Sequence, residues 1–473
     1  MQLREYQQQA RYSLNSLINA KRHPCFVSPT GTGKTRVAVA TIADRISLGY
    51  KVFVLVTQKE IFDQWLKDFS QAGIPAGYID SDGVHGRGRS VYVCMVLSLA
   101  NLLTFLPEKF RPDEIWTDEC HHSAADSLKK IYEFYPKASR IGLTATPYRM
   151  DNKPLGEFYS DIVQTITPSE AINAGYLAQP LVIAPKLYAD KIQLPEGDVS
   201  PETQVELLGK AKIIGDILLQ YERIFAGAPV LVACATYEHA EYITNIFRQA
   251  GWNFKHIHSK LSDSDREKLI KDIKMQRING LCTVGIGIEG MDIPGLFGLI
   301  WLRRTLSLTI YLQFTGRVLR PYKNKKYGII IDAVGNTFIH GRADMNRSWS
   351  LETDYQPTDP TDKSPFRICP QCGVMNSRDN ATCHICGIFL DAVENKIKRK
   401  FPTFVDGELV MIDEDRINNW SAPSEYANGK HDIDIIEEIE NKKAIQLSRN
   451  EKINVLKNLT GKKTLFKKTL EEF

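Results

Sequence analysis

Short runs of apolar, β-branched residues alternate with stretches of helical spacing over residues 1 to 345, and this rhythm limits the fold more than composition does. Cys25–Ser28, Val52–Thr57, Val91–Val96, EIWTDE and RIGLTATP are strand-like, whereas TRVAVATIADRI and KEIFDQWLKDF place apolar residues three and four apart, as a helix requires. Strands separated by such helices imply a parallel, doubly wound sheet. The rhythm lapses from Lys186 to Pro201, among Asp, Gly and Pro, and resumes with PVLVACAT, FKHIHS, GLCTVGIG, LIWLR and YGIIIDAV. The reading is an α/β chain with one parallel-sheet domain over 1–185, a linker over 186–204 and a second sheet domain over 205–350.

Chemistry enters at SPTGTGKT, Ser28 to Thr35, between a strand and a helix. Gly31 and Gly33 permit a tight turn that aims backbone N–H groups of Thr30, Thr32 and their neighbours at phosphates. Lys34 can reach β- and γ-phosphates, and the Thr35 hydroxyl can meet Mg²⁺ at a helix N-terminus. Ser28 stands where the strict phosphate-loop pattern has glycine. The partner segment is WTDECHHS, Trp116 to Ser123. As a zinc site it is poorly spaced, because Cys120, His121 and His122 are consecutive and converge badly on one ion. As the end of an ATPase strand it supplies Asp118 for Mg²⁺ and Glu119 as general base for the attacking water.

With these motifs in place the chain resembles the superfamily 2 helicases and translocases. TGTGKT, the DECH box and LTATPYR (Leu143–Arg149) resemble motifs I, II and III; TVGIGIEGMDIPG (Thr283–Gly295) resembles motif V and QFTGRVLRP (Gln313–Pro321) motif VI. LREYQ resembles the adenine-reading segment of the group, with Gln7 the reader. Details such as GRVLRP and DAVGNTFIHG are similar to the XPB and UvsW-type branch, nearest to phage and bacterial DNA helicases with a C-terminal zinc ribbon. Phe314 departs from the pattern, where many relatives carry a basic residue.

The resemblance implies two tandem RecA-like domains with ATP and Mg²⁺ in the cleft between them. It implies Gly290 and Asp292 as further nucleotide-site residues, and Gln313, Arg317 and Arg320 as catalytic residues, the two arginines reaching across a closed cleft. His121, Thr144 and Thr146 would couple nucleotide state to strand grip. Gln64 and Ser98 are candidates for nucleic-acid contact, and Trp65 reads as core rather than a base-stacking platform. The implied activity is ATP-dependent movement on, or unwinding of, single-stranded, forked or branched DNA in replication, recombination or repair. An RNA helicase is one alternative, since these motifs contact phosphates rather than bases. A loading factor that recruits a partner protein is the other.

Of nine cysteines, Cys369, Cys372, Cys383 and Cys386 form CxxC, a ten-residue loop and CxxC, each pair followed by glycine. This spacing suits a closed structural Zn²⁺ site in a ribbon over 366–390, after a linker at 351–365, in a reducing compartment. Beyond it, 391–473 reads as a mostly helical charged extension. Eleven acidic residues face two basic ones from Phe404 to Glu440, and nine Lys and Arg face one Glu from Asn441 to Leu470. Ribbon and tail are candidate docking sites for replication or recombination proteins. The formal charge of +4 says little about a polyanion, since a groove can be basic in a nearly neutral protein. No apolar run approaches the ~20 residues of a membrane helix, and MQLREYQQQA is no signal peptide, so the expectation is the cytoplasm of a bacterium or phage-infected host.

Overall fold

The computed structural model describes residues 2–107, 110–123, 125–185, 211–258, 261–284, 293, 295–323 and 325–354, with 366–368, 375–377, 381–382, 389 and 409–411. Strands β1 (Pro24–Val27), β2 (Val52–Val56), β3 (Gly77–Asp80), β4 (Gly83–His85), β5 (Val91–Met95), β6 (Glu114–Asp118), β7 (Ser139–Thr144) and β8 (Asp161–Val163) form one sheet. Its order is β4-β3-β5-β2-β6-β7-β1-β8, parallel except for the β3–β4 hairpin. The central strands β1 and β2 are buried on both faces, as a sheet wrapped by helices requires. Val52, Val54 and Val56 pack into one core and Phe53 and Leu55 into the other, which is the two-residue period of a strand expressed as two clusters.

A buried ion pair fixes the elements that frame the site. Helix α1 (Glu5–Asn19) packs on α2 (Lys34–Ser47), the helix that follows the phosphate loop. In the last turn of α2, Arg45 Nε donates to Glu114 Oε1 (2.6 Å) at the start of β6, and Arg45 Nη1 donates to Asn19 Oδ1 (2.6 Å) in α1. Trp116 Nε1 donates to the second Glu114 oxygen (3.2 Å), so this charge pair meets the rule that buried ions be paired and hydrogen-bonded.

The second sheet takes the order β11-β12-β10-β13-β14-β9-β17. Its strands are β9 (Gln179–Pro185), β10 (Val230–Cys234), β11 (Phe254–Ile257), β12 (Gly280–Val284), β13 (Gly298–Leu302), β14 (Tyr327–Asp332) and β17 (Leu409–Met411). This corrects the sequence boundary at 185: β9 pairs in parallel with β14, from Gln179 opposite Tyr327 to Ile183 opposite Ile331, so it belongs to the second sheet. The first sheet's last strand ends at Val163.

The expected linker 186–204 and the four cluster cysteines lie outside the described residues, as do Gly290 and Asp292. Within the expected ribbon, β15 (Phe366–Ile368) and β16 (Met375–Ser377) pair antiparallel, and Thr382 bridges Phe389. Of the expected helical extension, the described residues are a strand, β17, antiparallel to β9. Among the described residues no helix is long and apolar enough to cross a membrane.

Candidate active site in the cleft between the sheets

The phosphate loop is a hydrogen-bonded object before any ligand is considered. Ser28 N–H extends the β1–β7 ladder to Thr144 O (3.1 Å), and Gly31 and Gly33 turn the chain at φ +89° and +86°. Ser28, the departure from glycine, is buried with its hydroxyl 2.6 Å from that of Thr32, which donates to Pro29 O (2.6 Å). Lys34 Nζ donates to Ser28 O (3.2 Å), so the Ser28 backbone holds the lysine over the loop. Burial lowers the Lys34 pKa, against the raising influence of Glu119 and Asp118.

Helix α1 grips the loop from outside. Tyr6 Oη and Gln7 Nε2 both donate to Thr32 O, at 2.5 and 3.0 Å, while Gln7 Oε1 accepts from Arg4 N–H (3.0 Å). A Cβ on Gly33 would lie 2.7 Å from Gln7 Nε2, so a side chain there would be strained by the left-handed backbone and would push the Gln7 amide off the loop. Gln7 is thus a buried strut between helix and loop.

The acidic pair leaves the end of β6. Asp118 Oδ1 accepts from Glu119 N–H (3.0 Å), and Oδ2 accepts from the Trp65 indole N–H (2.8 Å). Burial, then the Glu119 charge, pushes the Asp118 pKa up to about 6. Glu119 sits at φ +47°, a left-handed conformation that costs a non-glycine residue about 1 kcal/mol or more. The turn redirects the chain so that Glu119 Oε2 lies 3.5 Å from His121 Nδ1. Cys120 turns the other way, its sulfur 3.6 Å from that of Cys25.

The opposite wall comes from the helix Leu308–Val318 and the residues just beyond it. Gln313 Nε2 lies 3.3 Å from His121 Nε2; an amide donating there leaves the ring proton on Nδ1, toward Glu119. Arg317 and Arg320 line the same cleft as Lys34, Thr35, Asp118 and Glu119, about 1280 Å³ of open space. Arg320 reaches the loop itself: a Cβ on Gly31 would lie 3.1 Å from its Cγ. Burial pushes the Arg320 pKa down to about 10, opposed by the Glu119 charge.

Thr144 and Thr146 form a second bridge. Thr144 Oγ1 is 3.5 Å from His121 Nδ1 and donates to Thr146 O (2.8 Å), and Thr146 Oγ1 donates to Thr309 Oγ1 (3.0 Å) across the cleft. Phe314 is buried against Trp301 (ring centroids 5.0 Å apart), so the odd residue of the motif is a core residue. A hydroxyl and a carboxylate suit a hard cation. Thr35 and Asp118 line one cleft, and the raised Asp118 pKa is what a buried carboxylate shows before a cation offsets it, so this donor set fits Mg²⁺.

Two family profiles match, one on each wall. Residues 1–149 match the res subunit of type III restriction enzymes and 209–322 match the helicase conserved C-terminal domain, together more than half the chain. The chain belongs to the superfamily 2 helicases. This helicase is 29% identical over 393 residues to a 51.5 kDa protein of a Lactococcus phage, covering 82% of each chain. It is 29% identical over 349 residues to the provisionally named mitochondrial ATP-dependent helicase irc3 of Schizosaccharomyces pombe, covering 70% of this chain and 57% of that one. Its fold is similar to that of the type ISP restriction-modification enzyme LlaBIII, at TM-score 0.51 and 14% identity over 70% of this chain and 27% of that enzyme. The protein is an ATP-hydrolysing helicase with tandem RecA-like sheets.

Of the remaining candidates for the helicase site, Gln64 lines the nucleotide cleft itself, donating to Asp68 Oδ1 (2.8 Å). Ser98 is half-buried on α4 (Val96–Leu102), away from the cleft lining. Sequence reasoning missed three residues. Asn152 clamps the second domain, its Nδ2 donating to Leu306 O (2.9 Å) and its Oδ1 accepting from Leu308 N–H (3.3 Å). Lys325 Nζ donates to Leu296 O and to Arg320 O (3.2 Å), linking the ends of two motifs. Burial, then Arg320, pushes its pKa down to about 7. The third is Trp65, read as core on its apolar face although its N–H meets Asp118. For Lys325 no sequence signal existed, since KNKK reads as a solvated turn.

Proposed function

We propose that this helicase is a DNA motor in which the cleft hydrolyses ATP only when both walls meet. The observation that carries the reading is Arg320 packed on Gly31, which brings a second-domain cation onto the first-domain loop that also presents Lys34. Lys34 and the loop N–H groups hold the phosphates, and Thr35 and Asp118 would hold Mg²⁺. Bound there, the ion supplies positive charge to the phosphate oxygens. Glu119 takes the proton of the attacking water, and Arg317 and Arg320 offset the charge that develops on the transferred group. His121 and Gln313 report the state of Glu119 to the second domain, and Thr144 and Thr146 do so through Thr309. Gln7 serves the site by holding the loop, with its remaining amide hydrogen available to a base. Gly290 and Asp292 complete the nucleotide site from motif V.

DNA as the track is supported by the GRVLRP likeness, by the restriction-enzyme profile, and by LlaBIII, which shares the fold and is seen bound to DNA. Replication, recombination or repair in a phage or bacterial cytoplasm is the setting this reading favours. Gln64 and Ser98 are kept as strand contacts in that proposal, and ribbon and tail as the partner-binding end. Zn²⁺ on Cys369, Cys372, Cys383 and Cys386 is supported by the flanking pairings. β15 and β16 bracket the first CxxC, and the Thr382–Phe389 bridge brackets the second, as hairpin knuckles would.

ATPase rates with single-stranded, duplex and forked DNA and with RNA test the track; stimulation by RNA alone would overturn the DNA reading. Lys34→Ala abolishes hydrolysis in a folded protein if the site is assigned correctly. Metal analysis should give one zinc per chain, lost on Cys369→Ser.

A further inference from the structure

Helix α3 (Lys59–Gln71) buries Ile61, Phe62, Trp65 and Phe69 against the first sheet. Apolar packing alone accounts for three of these and for the body of the fourth. Phenylalanine or leucine at 65 would fill the same face, and the ring already leans on Phe69 with centroids 5.5 Å apart. What tryptophan adds is one N–H, a donor that cannot act as an acceptor. That N–H ends 2.8 Å from Asp118 Oδ2, with Trp65 1% exposed. The other Asp118 oxygen takes the amide of the next residue, a contact the strand end provides by itself. Trp65 is therefore the restraint on this carboxylate that arrives from a separate element. The two donors fix its rotation from both sides.

We propose that Trp65 is a positioning residue for the cation-bearing carboxylate, its indole N–H holding Asp118 in the orientation that receives a divalent ion. The inference rests on the assignment of Asp118 to the cation. An outer partner that orients a ligating carboxylate changes metal affinity more than it changes the reaction itself, because the ligand must first be turned into place. A core residue that merely fills space would instead alter stability and leave the metal requirement where it was. The two roles predict different measurements on the same variant.

Trp65→Phe keeps the buried ring and deletes the N–H. The half-saturating Mg²⁺ concentration for ATP hydrolysis should rise about 10–100-fold, the usual cost of losing such a partner, while turnover at saturating Mg²⁺ falls far less. An unchanged Mg²⁺ requirement overturns the proposal, as does a uniform loss of turnover at every Mg²⁺ concentration. A second arm needs no hydrolysis. Among the six tryptophans, the ¹⁵N indole signal absent from Trp65→Phe should move strongly upfield in nucleotide-free Asp118→Ala, reporting a lost hydrogen bond. If Trp65→Phe fails to fold, Asp118→Ala alone decides: one indole signal must move, and a set of unmoved signals overturns the proposal. Asp118→Ala that still hydrolyses ATP would instead sink the assignment of Asp118, a distinguishable failure.

Discussion

The two walls of the cleft are built on opposite plans. On the first, the groups of the phosphate loop and the acidic strand end are held by partners from the same domain: Lys34 by Ser28 O, Asp118 by Trp65 and Glu119, and Thr32 by Tyr6 and Gln7. On the second, long polar side chains extend toward the other wall, the Arg320 guanidinium arm against Gly31 and the neutral Gln313 amide against His121. In the proposed mechanism the first wall is a preassembled phosphate and cation receptor. The second supplies charge that is useful only on approach. Lost groups on the two walls should therefore fail in different ways.

The largest test of that contrast is Arg320→Ala. Turnover should fall by about 10³-fold, as for other arginines that meet the transferred phosphate, while nucleotide affinity stays nearly native. Lys34→Ala should lose both, and equal loss of nucleotide binding in the two variants would break the contrast. Next in size is His121→Ala, which touches both walls. Stimulation of ATPase by nucleic acid should drop about tenfold, ~1.4 kcal/mol of coupling, with the unstimulated rate retained. Asn152→Ala removes two hydrogen bonds across the cleft, each worth about 1 kcal/mol, and should raise the radius of gyration of the nucleotide-free protein in X-ray scattering.

The last test is a pH effect confined to the second wall. The Lys325 pKa is depressed from 10.5 to about 7 in the fold. Below pH 7 both states hold the proton and nothing changes. Between about 7 and 10.5 the unfolded chain holds a proton that the folded one has lost, so this group's contribution to stability climbs with pH and then levels off. The thermal midpoint of the native protein relative to Lys325→Met should rise across that window. A constant difference would show that Lys325 is not buried in this way.

The sequence reading reached the first wall more fully than the second. SPTGTGKT and WTDECHHS are contiguous, so their chemistry is spelled out by neighbours in the chain. Even there Ser28 looked like a blemish, whereas its hydroxyl is part of the loop. Trp65 was correctly placed in the core, because helical spacing reports which face is buried. Spacing does not report which polar atom waits beneath that face. The division at residue 185 failed because Gln179–Pro185 has the same apolar pattern whichever sheet it joins; pairing with β14 decides membership, and that partner lies some 150 residues away. Lys325 was invisible for the same reason, since its acceptors, Leu296 O and Arg320 O, come together only in the fold.

Strand β17 carries a practical consequence. By laying Leu409, Val410 and Met411 beside Pro185, Ala184 and Ile183, it covers the outer side of β9. Truncation after residue 354 would keep the cleft intact yet strip that cover. The bared backbone would then be a template onto which a second copy could zip. Self-association of a shortened motor would thus be an artefact of trimming, with β17 acting as a built-in guard against sticking.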